Sequence, residues 1–243
     1  MKVHIWAENR PLEQARERMA EFYPHGIEGV LADMLRSCTD WTVTTSTSLD
    51  EEYGLCETLL QDVDVLVYWS HKYWREIPDT YVDILQNRVL NGMGLVLLHS
   101  AHASKIFSRL LGTRTQTLRW RESDDSQRVW VVRPAHPICS GLQKEYFDIP
   151  QDETYGEYFE IPQPDELVFL TVSSQGEVLR SGLCYHRGRG KIFYFSSGHE
   201  TYPVYYQREV QLVIKNAVAW AKCTDTYDTW PVWARKAELL GGI

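Results

Sequence analysis

Apolar positions in the first half of the chain fall into short runs separated by segments of helical spacing. Residues 3–6, 63–69 and 95–98 are almost wholly apolar, and each run is short enough for a strand buried on both faces. Residues 41–45 mix β-branched and polar positions and predict a second strand nearer a sheet edge. Between the runs, residues 12–22 have helical composition. Ile27, Val30, Leu31 and Leu35 recur at three and four, predicting an amphipathic helix over 26–36. Residues 49–60 read as a loop with a short helix. Asp79 is a predicted cap for a helix over 80–90, with Val82, Leu85, Val89 and Leu90 on one face. After the run at 95–98, Ile106, Phe107, Leu110 and Leu111 mark one more helix, stopped by Gly112. Four strands with helices between them in about 110 residues predict a doubly wound parallel sheet.

The second half changes character. Residues 127–132, 167–172 and 191–195 read as strands, 146–149 and 155–161 as extended and acidic, and 177–185 as two short strands. Arg187-Gly-Arg-Gly190 precedes a strand and opens no helix, so it reads as a hairpin turn and no nucleotide cofactor is expected. Val210, Val213, Ile214, Ala217, Val218 and Ala221 mark a closing helix. Residues 1–223 are therefore read as a single domain with a β-rich elaboration. Residues 224–243, with Trp230 and Trp233 but no core pattern, are read as a C-terminal arm through which a homo-oligomer could form.

Three apolar runs end in histidine: Ser70-His71, His99-Ser-Ala-His102 and Ser196-Ser-Gly-His199-Glu. In doubly wound sheets, neighbouring strand ends converge on one crevice, where ligands bind. Composition narrows what binds there. A net charge of -8 disfavours nucleic acid and anionic membranes as partners. No apolar run approaches the ~20 residues of a membrane span. The five cysteines are scattered with no C-x-x-C pair, which suggests neither disulfides nor a zinc knuckle and fits a reducing cytoplasm. The nine Trp and 14 Tyr are many; aromatics supply core area first, and they also make flat platforms for sugar rings.

The chain resembles the ThuA (trehalose utilisation) family in Tyr23-Pro-His-Gly-Ile27, Asp64-Val-Leu-Val67 with His71, and Gly92-Met-Gly-Leu-Val-Leu-Leu-His-Ser-Ala-His-Ala-Ser-Lys-Ile-Phe107. Further matches are His136-Pro-Ile138, Glu153-Thr-Tyr-Gly-Glu157, the segment 159–169, the segment 187–195 and Gly198-His-Glu-Thr-Tyr-Pro203. The resemblance implies a flavodoxin-like α/β sheet of the class I glutamine amidotransferase type. It also implies an oxidised disaccharide such as 3-keto-trehalose as substrate. Two positions depart from the pattern. Where the amidotransferase elbow carries a nucleophilic Cys, this chain has His99-Ser100-Ala101, which argues against cysteine-based amide hydrolysis. The family's usual Gly-Ile-His reads Gly26-Ile27-Glu28.

Together these features point to a divalent metal site, zinc or manganese, with His71, His99 and His199 as ligands, His102 as the alternative to His99 and Glu157 as a further candidate ligand. Three protein ligands and an open position are the pattern of catalytic metal sites. His102 and Glu157 are the expected acid–base groups. Glu28, Ser100, Trp69, Glu153 and Tyr202 are the expected sugar contacts, and Tyr73 and Trp74 lie near the same strand ends. A salt bridge from Glu157 to Arg187 or Arg189 is the competing reading for that carboxylate, and His136 is read as fixing its turn. A carbonyl acidifies its neighbouring C–H, so proton abstraction would lead to isomerisation or to loss of the glycosidic oxygen. A non-catalytic sugar-binding protein and a metal-dependent hydrolase are the alternatives.

Overall fold

A computed structural model describes residues 1–114 and 118–224; the arm expected at 224–243 lies, but for its first residue, outside them. The first half contains strands β1 (Lys2–Ala7), β2 (Thr42–Thr47), β3 (Val65–Trp69) and β4 (Gly94–Leu98). Helices α1 (Arg16–Phe22), α2 (Gly26–Arg36), α3 (Glu57–Leu60), α4 (Asp79–Leu90) and α5 (Lys105–Leu111) lie between and after them. The second half contributes β5 (Arg119–Val131), β6 (Tyr146–Gly156), β7 (Glu166–Ser173), β8 (Val178–Arg187), β9 (Gly190–Phe195) and α6 (Arg208–Ala221).

All nine strands join one sheet in the order β2-β1-β3-β4-β9-β8-β7-β5-β6. The five from β2 to β9 pair in parallel, and from β9 to β6 every pairing is antiparallel. The apolar runs are continuous because both faces of the central strands are covered. Val65, Val67, Val96 and Leu98 join one core cluster with residues of α2 and α6. Leu66, Leu95 and Leu97 join the other, with Val82, Leu85 and Val89 of α4 and Phe107 of α5. Gly94 opens β4 because α6 presses against it: an added Cβ would come within 2.4 Å of the Ala221 carbonyl oxygen. Gly112 ends α5 in the left-handed conformation, with φ of 67°.

Several elements differ from expectation. Asp79 is the first residue of α4 rather than its side-chain cap; its carboxylate accepts from Lys105 Nζ at 2.9 Å instead. The stretches 146–149 and 155–161 are not two strands. The first continues through Pro150 into Gly156 as β6, and Pro150 is tolerated because β6 is the sheet's outer strand. The two short strands expected at 177–185 are one, β8, joined to β9 by the Gly188-Arg189 hairpin with Arg187 opposite Gly190. β5 starts earlier than its apolar pattern suggests and loses register with β6 between Arg121 and Asp125, a bulge that helps shape the site.

Candidate metal centre

The carboxyl ends of β1, β3, β4 and β9 carry Glu8, His71, His99 and the pair His199-Glu200, and every one of these side chains is buried. His71, His99 and His199 meet with ring centroids 4.7–5.5 Å apart. With Glu200 they form a group whose ligand atoms all lie within 4.8 Å of one another, and Glu122, Glu153 and His199 form a second group that shares His199.

The loops that deliver these groups are held by buried carboxylates. Glu8 accepts from the backbone N–H of His71 at 3.0 Å and of Lys72 at 2.9 Å. Asp152, on β6, accepts from Gly198 N–H at 2.9 Å, His199 N–H at 3.1 Å and Glu153 N–H at 2.9 Å. Desolvation outweighs those bonds and raises the Asp152 carboxyl to about 7. His99 has φ of 53°, a left-handed value uncommon outside glycine. This turn off β4 sends its ring into the crevice, against Trp69 on one side and Tyr155 on the other.

Each imidazole has an oxygen at Nδ1. His71 Nδ1 is 2.6 Å from Glu200 Oε1, His99 Nδ1 is 3.3 Å from the Ser196 carbonyl, and His199 Nδ1 is 2.8 Å from Thr201 Oγ1. A carbonyl oxygen only accepts, so His99 carries its hydrogen on Nδ1 and its lone pair on Nε2, and donation to Glu200 gives His71 the same tautomer; His199 Nδ1 instead accepts from Thr201 N–H at 3.2 Å, which puts its hydrogen on Nε2. Oxygen acceptors that orient an imidazole in this way are the usual outer shell of a metal-bound histidine. Burial lowers His71 to about 4 and His99 and His199 to about 3, so all three rings are neutral at pH 7, the form that binds metal.

The Nε2 side is unbalanced. His99 Nε2 is 3.3 Å from Glu153 Oε2, lone pair facing lone pair. His199 Nε2 is 3.6 Å from Glu200 Oε2 and 2.9 Å from Glu122 Oε1. Glu153 Oε2, Glu200 Oε2 and His199 Nε2 are buried atoms with no hydrogen-bond partner. The Tyr155 hydroxyl lies 3.2 Å from His99 Nε2 and also bonds Glu153, but its one hydrogen cannot serve both. A proton or a cation must lie between His99 Nε2 and Glu153 Oε2. Ligand atoms around a tetrahedral ion at ~2.0–2.1 Å stand roughly 3.3–3.4 Å apart, close to the spacings observed here. The donor set of neutral imidazoles and carboxylates thus fits a divalent ion.

Two cavities flank the cluster, and His71 lines both. One, of about 380 Å³, is bounded by Trp74, Ser100, His102, Trp120, Glu153 and Tyr155. The other, of about 250 Å³, is bounded by Gln14, Arg18, Glu122, Asp124, Thr201 and Tyr202.

The remaining expected residues divide. Ser100 faces the larger cavity, with its hydroxyl 2.6 Å from Tyr155 Oη. His102 faces it too, but does not point with His99. Its ring packs among Tyr155, Phe159 and Tyr194, with Nδ1 3.2 Å from the His99 carbonyl and 3.1 Å from Tyr194 Oη. Glu153 stands in the cluster, and Tyr202 borders the smaller cavity. Trp69 is not a sugar platform: it is buried beneath His99 and donates from Nε1 to the Gly198 carbonyl at 3.0 Å. Glu28 lines neither cavity; Asn9 Nδ2 donates to its Oε1 at 3.4 Å, and burial raises its carboxyl. Glu157 is also corrected. It lies past the end of β6, where Arg180 holds it at 2.8 and 3.1 Å and the N–H groups of Phe159 and Arg180 donate to it. Arg180, not Arg187 or Arg189, is its salt-bridge partner. His136 fixes its turn as expected, accepting from Ile138 N–H at 3.2 Å.

A family model described as trehalose utilisation matches residues 2–221. The chain belongs to the ThuA family. A ThuA-like protein of Parabacteroides merdae aligns with TM-score 0.68 and 15% identity, covering 93% of this chain and 92% of its own. One from Bacteroides uniformis aligns with TM-score 0.64 and 18% identity, covering 90% of each. A β-galactosidase from Rahnella sp. R3 shares the fold over 90% of this chain and 31% of its own, with TM-score 0.53 and 12% identity. No curated protein matches. Membership gives the chain a role in trehalose utilisation. No helix among the described residues is long and apolar enough to cross a membrane.

Proposed function

We propose that this ThuA protein acts on an oxidised disaccharide, such as 3-keto-trehalose, by metal-assisted removal of a proton beside the carbonyl, as an isomerase or a lyase. The observation that carries this reading is His99 Nε2 facing Glu153 Oε2 at 3.3 Å, two acceptors in a buried crevice that opens onto a sugar-sized cavity. His71, His99 and His199 would hold the ion, with Glu200 orienting His71. A divalent ion of zinc or manganese type supplies polarisation of the sugar carbonyl and stabilisation of the charge that develops on its oxygen.

The protein's own groups handle the proton. Burial lowers His102 to about 3 but raises Glu153 above its ordinary value, so Glu153 is the stronger base of the two. Its carboxylate takes the proton from the carbon next to the carbonyl. The Ser100–Tyr155 hydroxyl pair can donate to a sugar oxygen as charge moves onto it. His102, with its hydrogen on Nδ1 toward the His99 carbonyl, presents its Nε2 lone pair to a sugar hydroxyl. Return of the proton one carbon over gives isomerisation; loss of the glycosidic oxygen gives a lyase product. Thiols have no part in this. Cys139 and Cys184 are buried away from the cavities, and desolvation pushes Cys139 up to about 11 and Cys184 higher.

The strand order of the parallel half, β2-β1-β3-β4-β9, supports classing the fold as flavodoxin-like and amidotransferase-like. The test of function is exchange in heavy water. Deuterium entering the carbon beside the carbonyl supports proton abstraction; release of monosaccharide without exchange would support a hydrolase instead.

A further inference from the structure

We infer that the substrate lies across the ligand cluster, with its oxidised ring in the Trp120 cavity and its second ring in the Arg18 cavity. This assignment rests on the reaction proposed above and adds the orientation. The two cavities meet at His71, so a ligand whose carbonyl reaches the cluster has room for one pyranose ring on each side.

The chemistry of the two walls differs. Every proton-handling group named above, Ser100, His102, Glu153 and Tyr155, lines the Trp120 cavity, and none lines the other. The reacting carbons must therefore lie on the Trp120 side. Trp120 is 60% exposed although large and apolar, and Lys72 Nζ sits 5.2 Å from its ring centroid, which fixes the indole at the mouth. A partly exposed aromatic plane beside hydrogen-bonding groups suits a pyranose, whose axial C–H bonds make an apolar face and whose hydroxyls need partners.

The carboxylates of the Arg18 cavity are engaged, Glu122 with His199 at 2.9 Å and Asp124 with Arg18, and the cavity is rich in donors and acceptors. Arg18 reaches from α1 to Asp124 on the β5 bulge at 3.4 Å, a long contact between two half-exposed side chains. Its guanidinium also lies 5.0 Å from the Tyr202 ring centroid, so the ring forms a floor beneath it. With Gln14 and Thr201 these groups match the hydroxyls of an unoxidised sugar, and Arg18 can bond a ring hydroxyl without giving up Asp124.

The test measures binding by calorimetry on metal-loaded Glu153→Gln protein, in which proton removal is blocked, using 3-keto-trehalose and 3-keto-glucose as probes. The disaccharide should bind about tenfold more tightly than the monosaccharide, and adding Arg18→Ala should erase most of that advantage. Adding Trp120→Ala should weaken both sugars by about tenfold. Equal weakening of both sugars by Arg18→Ala, loss of disaccharide affinity alone in Trp120→Ala, or no disaccharide advantage at the outset would each overturn the orientation. Failure of the proposed reaction shows separately, as absence of deuterium exchange in the wild-type protein, and leaves the binding pattern readable.

Discussion

His71 Nδ1 and Glu200 Oε1 stand 2.6 Å apart, with both side chains buried. The pair links the loop after β3 to the loop after β9 and fixes which nitrogen His71 presents to the cluster. Glu200→Ala should therefore lower metal affinity by about 10–100-fold, the usual cost of losing an outer-shell partner. His71→Ala and His199→Ala should each lower metal content to a similar degree. Full metal retention in both histidine variants, measured on protein that keeps its native circular dichroism, would rule out this ligand set.

Glu157 and Arg180 form a structural pair, with side chains 33% and 29% exposed. Glu157→Ala should cost about 1–2 kcal/mol, because it also removes an acceptor from the backbone N–H groups of Phe159 and Arg180. Urea unfolding gives that cost. Metal content should stay at the wild-type value; a loss of metal would place Glu157 in the site after all.

Asp152 anchors the loop that carries His199 and Glu200 through two backbone N–H groups, those of Gly198 and His199. Asp152→Ala strands those donors in a buried place and should destabilise the protein by more than about 2 kcal/mol. The weakly bound metal that remains should exchange faster. Unchanged unfolding and unchanged metal dissociation would show that the loop is held by other means.

His4 provides a pH readout away from the centre. It lies on β1 with Thr44 Oγ1 2.8 Å from Nδ1 and Ser46 Oγ 2.7 Å from Nε2, and burial lowers it to about 4. Its folded value lies below the unfolded one, so the unfolded chain binds the proton first. Stability is full above about pH 6.5 and falls as pH drops toward 4, by about 1.4 kcal/mol per pH unit for such a histidine. Urea unfolding at pH 7 and pH 5 should differ less for His4→Asn than for the wild type. An equal difference would mean that His4 titrates normally in the folded chain.

The sequence made the parallel half readable because both faces of those strands are covered, leaving unbroken apolar runs with histidine at their ends. The same periodicity brought His71, His99 and His199 into one crevice. What it could not show depends on long-range pairing. Glu122 reaches His199 through a bulge in β5, where the apolar pattern is silent. Glu157 is an expected acid–base group from the sequence, but β6 has already ended at Gly156 and the carboxylate turns to Arg180. His102 stands in the sequence as the alternative to His99, and only the structure divides them: the left-handed backbone at His99 turns its ring to the cluster, while His102 Nδ1 bonds the His99 carbonyl. Glu200 had a signal, adjacent to His199 in the Gly198-His-Glu motif, yet its role depends on His71, 129 positions away.

The most direct test of the central claim is metal content per chain by plasma mass spectrometry, on untagged protein purified without chelator. The account predicts near one equivalent of zinc or manganese, removable by chelator and restored by adding the ion back, and lost in His99→Ala. No metal in the purified protein and none retained after reconstitution would contradict it, leaving a shared proton as the only cation between His99 and Glu153.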